Sequence, residues 1–189
     1  MATLPPYMSG QLLLALPGIG DPRFERSVIA MCLHDQEGAM GVAIHRPHPK
    51  LHLGDVLREV GLEAAHAAVE AAPVYVGGPV ELGRGFVLHS ADYGSSGTID
   101  IGGHWAMTGT RDILEAIAEG RGPHQWLVAL GYEGWQAGQL EGELRQHGWM
   151  TAPASDALLY EIPAENRWAA AYAGLGIDVS HLSAEPGHA

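Results

Sequence analysis

Cys32 and His34 stand two residues apart at the end of an apolar run, Ser27 to Leu33. Alternate side chains of a strand share a face, so thiol and imidazole are expected in one row with Arg26, Val28 and Ala30. A neighbouring cation lowers a thiol pKa and creates a nucleophilic thiolate, which makes thiol redox or hydrolytic chemistry one expectation. The other is that Cys32 is a small buried hydrophobe, the common fate of a free cysteine. Arg26, Arg46, Arg84 and Arg111 stand at expected strand ends and turns, and His89 lies two residues beyond Val87. Guanidinium groups converging there would bind an anion, a nucleotide phosphate or a partner's carboxylate; local ion pairs that pin loops are the alternative. Gly77, Gly78 and Gly85 would let backbone amides approach such a ligand. His45, His48 and His52 have loose metal-like spacing, but no second ligand cluster and no His-Glu-x-x-His accompanies them, so no metal and no other cofactor is expected. No serine occupies a Gly-x-Ser-x-Gly elbow, and spacing alone does not pair Ser27 or Ser90 with Asp92, Asp100 or Glu81. Trp135 follows Gly134 in an expected turn, where an exposed indole would anchor a protein partner.

These residues need a scaffold. Ser27–Leu33 and Ala39–Ile44 read as two core strands joined by the polar turn 35–38. Before them, Gln11–Leu16 reads as a short buried strand, and Asp21-Pro22 opens one helical turn, with Asp as its N-cap. Met1–Ser9 reads as a leader without periodic pattern, and Arg46–Pro49 as a loop. Val56, Leu57 and Val60 give a short helix over 54–61, and 63–72 reads as a second helix or a connection. Strands are expected at Pro73–Val76, Gly85–Ser90, Thr98–Ile101, His104–Met107, Gln125–Tyr132 and Ala157–Ile162. Helices are expected at Thr110–Glu119, Ala137–His147 and Glu165–Ala173. No linker or repeat divides the chain, and strands cluster ahead of the later helices. The expectation is one α+β domain over 1–189 with a mixed or largely antiparallel sheet.

Several strings in register carry a family resemblance: GQLLLALPGIGDPRFERSVIAMCLHDQEGAMGVAIHRP, PVYVGGPV, RGFVLHS, DILEAIAEGRGP, LVALGYEGWQAGQLEGEL and a closing GHA. Together they resemble the AlgH/YqgE family of bacterial proteins, and Arg26, Arg46 and Arg84 lie inside the strings, with Arg111 at the edge of one. The resemblance implies a bifurcated sheet, partly rolled toward a barrel, with helices around it. It also implies a role in transcriptional regulation, by genetic association with alginate production, and no settled enzymatic activity. Two positions depart from the family pattern: His45 stands where asparagine is usual before Arg-Pro, and Glu133 replaces a small residue in Gly-Tyr-x-Gly-Trp.

Composition narrows the field. The 189 residues are enough for a real core, and 26 glycines, roughly twice average usage, imply many turns and close approaches. A formal charge of −12, with no basic patch in any window, argues against direct nucleic-acid binding. One cysteine excludes an internal disulfide framework and suits a reducing compartment. No run has the length of a membrane span and no signal-peptide pattern opens the chain. A cytoplasmic protein is expected, working through a protein partner or a small anionic ligand.

Overall fold

The computed structural model describes residues 7–19, 21–146 and 148–181. Residues 1–6 of the expected leader, and the closing Gly-His-Ala of the family resemblance, lie outside them. The elements in chain order are β1 (Gln11–Ala15), β2 (Val28–Asp35), β3 (Gly38–Ala43), β4 (Pro47–His52), α1 (Leu53–Glu59), α2 (Ala67–Glu70), β5 (Pro73–Val76) and β6 (Val80–Ser90). Then follow β7 (Thr98–Ile101), β8 (Trp105–Thr108), α3 (Arg111–Ala118), β9 (Trp126–Gln136), α4 (Gln139–Arg145), β10 (Trp149–Pro153) and α5 (Ala164–Gly174). The described chain forms two compact units, one from residues up to His45 and from Gly134 onward, the other Arg46–Glu133.

In the first unit the strand order is β10-β1-β2-β3, all antiparallel. The β2–β3 hairpin turns where the Asp35 carboxylate accepts the Glu37 N–H at 2.8 Å. Gly38 follows with φ of 150°, and a Cβ there would lie 2.3 Å from the Trp135 carbonyl oxygen, so only glycine fits. Leu13, Ile29, Met31, Leu140, Leu144 and the indoles of Trp135 and Trp149 form the core. The α4 helix is fixed to it through one carboxylate: Glu143 Oε2 accepts both Trp135 Nε1–H (3.1 Å) and Trp149 Nε1–H (3.0 Å). Buried indole donors require partners, and a single Glu serves two.

Met8 is fully buried in this core, and its N–H donates to His34 Nδ1 at 3.1 Å. The leader expected over 1–9 is therefore anchored at its C-terminal end, because Met8 exchanges water for an apolar site and satisfies its amide there.

In the second unit β9-β6-β8-β7 pair antiparallel, β5 runs parallel to β9, and β4 pairs with β5. Leu53, Leu57, Val74, Val87, Ile113, Ile117 and Val128 form its core. Gly78 (φ 155°) lies so near β9 that a Cβ would sit 2.1 Å from the Tyr132 carbonyl carbon, and Gly77 N–H donates to Leu130 O at 2.8 Å. These glycines thus admit a neighbouring strand, not a ligand as the sequence suggested.

Two expected elements differ and one strand is new. Pro47–His52 is a strand, not a loop, and Trp149–Pro153 is an additional strand. Ala157–Glu161 is a π-helical turn instead of a strand, with Ile162 N–H donating to Ala157 O at 2.8 Å. Ser155 Oγ accepts the Leu158 N–H at 3.2 Å and starts that turn.

Candidate functional site

The first unit holds a pocket of about 630 Å³ at the exit of β1, with Leu16, Ile19, Glu25, Arg26, Trp168 and Val179 among its lining. The local sequence explains its rim. Asp21 caps the turn Pro22–Phe24 by accepting Arg23 N–H at 3.0 Å. The Arg23 guanidinium returns to the same carboxylate (Nη2–Oδ2 2.6 Å), and this pairing holds Asp21 below the usual carboxylate range. Ser27 N–H then donates to Phe24 O at 3.0 Å, closing a turn with Glu25 at φ −56°, ψ 125° and Arg26 at φ 55°. This is type II geometry, whose third residue is ordinarily glycine or asparagine. Arg26 takes the left-handed conformation at a cost of about 1–2 kcal/mol.

The Arg26 guanidinium lies over the Trp168 ring, 5.8 Å from its centroid. Trp168 is a fixed shelf: its Nε1–H donates to Ala15 O at 2.8 Å, and Tyr172 O–H donates to the same oxygen at 3.0 Å. The two rings pack in a tilted arrangement, centroids 4.8 Å apart and planes inclined by 59°, and burial pushes the Tyr172 phenol up to about 12. No carboxylate of the described residues pairs with Arg26. A guanidinium stacked on an indole keeps its N–H edge free for a carboxylate or phosphate.

Cys32 and His34 are held by different partners. The β2–β3 register slips between Met31 and Leu33, leaving Cys32 as an extra residue. Such a bulge shifts the alternation of faces. Leu33 is accordingly 40% exposed, while His34 turns inward to α4. His34 Nδ1 accepts Met8 N–H, so the ring proton sits on Nε2 and is donated to Glu141 Oε1 at 3.0 Å. Glu141's own backbone N–H, and after it the His34 contact, hold the Glu141 carboxyl below its usual range. Cys32 is 1% exposed, its Sγ faces Ala30 O at 3.5 Å, and burial pushes its thiol strongly up, away from thiolate. Thiol and imidazole thus have different partners, Ala30 O for Sγ and Met8 N–H and Glu141 for the ring, and burial disfavours the thiolate.

The other anion candidates lie in the second unit. Arg84 pairs with Glu81 (3.1 Å) and stacks on Phe86; Arg111 pairs with Glu115 (2.8 Å) one turn along α3. Arg46 is exposed, with its carbonyl accepting Val76 N–H at 3.0 Å. His89 is fully buried. Its Nδ1 lies 2.9 Å from Ser90 O, which can only accept, so Nδ1 carries the proton and Nε2 accepts Thr108 O–H at 2.8 Å. Thr108 Oγ1 in turn accepts Thr98 O–H (2.7 Å), and Thr98 accepts Ser95 N–H (3.0 Å). Desolvation lowers the His89 pKa, which keeps the ring neutral. Ser90 Oγ–H donates to Asp92, while His124 Nε2 is 3.9 Å from that carboxylate. The acid thus sits between serine and histidine, which is not the order that activates a serine.

Among the described residues no group of three His, Cys, Asp or Glu is placed to hold a metal. His45 accepts Val28 N–H (3.3 Å), and His48 accepts the amides of Lys50 and Leu51.

The pattern described as AlgH-like matches residues 12–180. This chain belongs to the AlgH-like family. It is 54% identical to a UPF0301 protein of Sphingopyxis alaskensis over the full length of both. It is 41% identical to the AlgH protein of Pseudomonas aeruginosa, whose solution structure matches with a TM-score of 0.81 across all of both chains. A crystal structure of a Corynebacterium diphtheriae protein, 22% identical, matches with a TM-score of 0.69 over 90% of this chain and 87% of its own, which speaks for the fold alone. The α+β class expected from the resemblance is that of the AlgH-like fold.

Within the AlgH-like chain, Trp135 does not serve as the exposed anchor the sequence suggested. It is 8% exposed, packed in the core with its indole N–H on Glu143. The unusual His45 caps the start of β2, with Nε2 3.4 Å from Ser27 Oγ. Trp168 is buried, at 8% exposed, and one face of its ring also forms a wall of the pocket. Nothing in the sequence marks this wall, because the type II turn beside it carries arginine where glycine is expected.

Proposed function

We propose that this AlgH-like protein is a binding protein whose ligand is a small anion held by Arg26 in the pocket beside Trp168. One observation carries the reading: an arginine kept in a glycine conformation, stacked on an indole, at the lip of a cavity, without a carboxylate partner among the described residues. Strain of this kind concentrates at functional positions. A paired structural arginine such as Arg111 shows the contrast. The regulatory role implied by the family resemblance is then exercised through a ligand-dependent state passed to a protein partner. The charge of −12 argues against direct contact with duplex DNA. The single buried thiol suits a cytoplasmic setting.

Thermal denaturation with a panel of nucleotides, phosphorylated metabolites and carboxylates tests this. At least one class stabilises the protein by roughly 5–10 °C at a hundredfold excess over its Kd. The Arg26→Gly variant loses the shift and Arg111→Gln keeps it. Absence of any anion-dependent shift, or a shift indifferent to Arg26, contradicts the proposal.

A further inference from the structure

We infer that the ligand of this pocket is a zwitterion with an apolar body, of the apolar α-amino-acid class. The inference rests on the anion-binding reading above and adds the rest of the ligand. Two charges line the pocket without partners among the described residues, and they are neighbours in one turn: Glu25 and Arg26. No ion pair joins them to each other. The third charge at the rim, Asp21, is already neutralised by Arg23. A ligand bearing only an anion answers Arg26 and leaves the Glu25 carboxylate of the same lining without a counter-charge. An ammonium added to that anion supplies the counter-charge, and an α-amino acid carries both groups in one small molecule. Apart from Ser180, the remaining side chains of the wall, among them Leu16, Pro17, Ile19, Trp168 and Val179, are apolar. They favour a hydrocarbon or aromatic side chain over a sugar. The cavity, at about 630 Å³, is within the ordinary size of small-ligand sites.

Isothermal titration of the whole protein with L-leucine and L-phenylalanine, and with the matching acids that lack the amine, isocaproate and hydrocinnamate, tests it. The amino acids bind, and the deaminated acids bind about fivefold more weakly, the worth of one exposed ion pair. Glu25→Gln erases that difference, chiefly by weakening the amino acids, and Arg26→Gly abolishes binding of all four. If acids and amino acids bind equally, or if neither binds while the anion panel still gives an Arg26-dependent thermal shift, the zwitterion inference is overturned and the anion site stands. If Arg26→Gly changes nothing in either experiment, both are overturned. Circular dichroism and unfolding midpoints of the two variants separate loss of ligand from loss of fold.

Discussion

Arg26 sits where a glycine would be comfortable. Its φ of 55° crowds Cβ against the backbone, and nothing in the described fold compensates through an ion pair. Replacing it by glycine removes both the crowding and the guanidinium. Arg26→Gly is therefore expected to raise stability by about 1 kcal/mol, a gain of roughly 2–4 °C in Tm. Arg26→Ala, which keeps Cβ, gains little. Urea unfolding of the three proteins checks this, and a glycine variant less stable than wild type would mean that the stacking on Trp168 holds the fold. Arg26 was legible in the sequence as an anion candidate because so acidic a chain has few arginines. Its strain was not legible, since a type II turn with arginine in third place carries no glycine signal. Cys32 and His34 misled for a related reason. A bulge adds one residue between regular strand segments, and strict alternation then assigns the wrong face.

Among the elements, those with strong periodicity matched the sequence: β1, β2, β3, β5, β7 and α3 fall within a residue or two of their expected bounds. β4 was missed because its residues, Pro-His-Pro-Lys-Leu-His, include two prolines and pair with β5 only at its ends, Pro47 with Tyr75 and His52 with Pro73. The run Ala157–Ile162 was read as a strand because a short apolar run does not distinguish strand from helix. Where β6, β7 and β8 meet, the Ser95–Thr98–Thr108–His89 chain of hydrogen bonds predicts a pH effect. The folded state prefers neutral His89, while in the unfolded state the ring takes up a proton near pH 6.5. Stability from this group is therefore complete above about pH 6.5 and declines as the pH falls toward the lower folded pKa. The slope contributed is at most about 1.4 kcal/mol per pH unit. Asp92 and Asp112, both held below the usual carboxylate range, act in a separate and more acidic window. Unfolding free energies measured between pH 7.5 and 5 should fall in the wild type and flatten in His89→Gln. Parallel profiles would show that His89 is not the titrating group.

For the whole molecule, family membership was legible because strings spread along the chain keep their order and spacing. The candidate site was legible only in part. Sequence reasoning gathered Arg26, Arg46, Arg84, Arg111 and His89 as one set on charge. In the structure Arg84 and Arg111 are spent on local carboxylates, His89 is buried among hydroxyls, and Arg26 alone of the set lines the pocket. Charge type is written in the sequence, but whether a charge is already paired depends on side chains brought together by folding. Among the described residues no helix is long and apolar enough to cross a membrane. The most direct test is an amide and indole NMR titration of the whole protein with hydrocinnamate and L-phenylalanine. The account predicts saturable shifts at Leu16–Ile19, Glu25–Ser27, the Trp168 indole N–H and Val179–Ser180. Shifts confined to residues 46–133, around Arg84, His89 or Arg111, would contradict it.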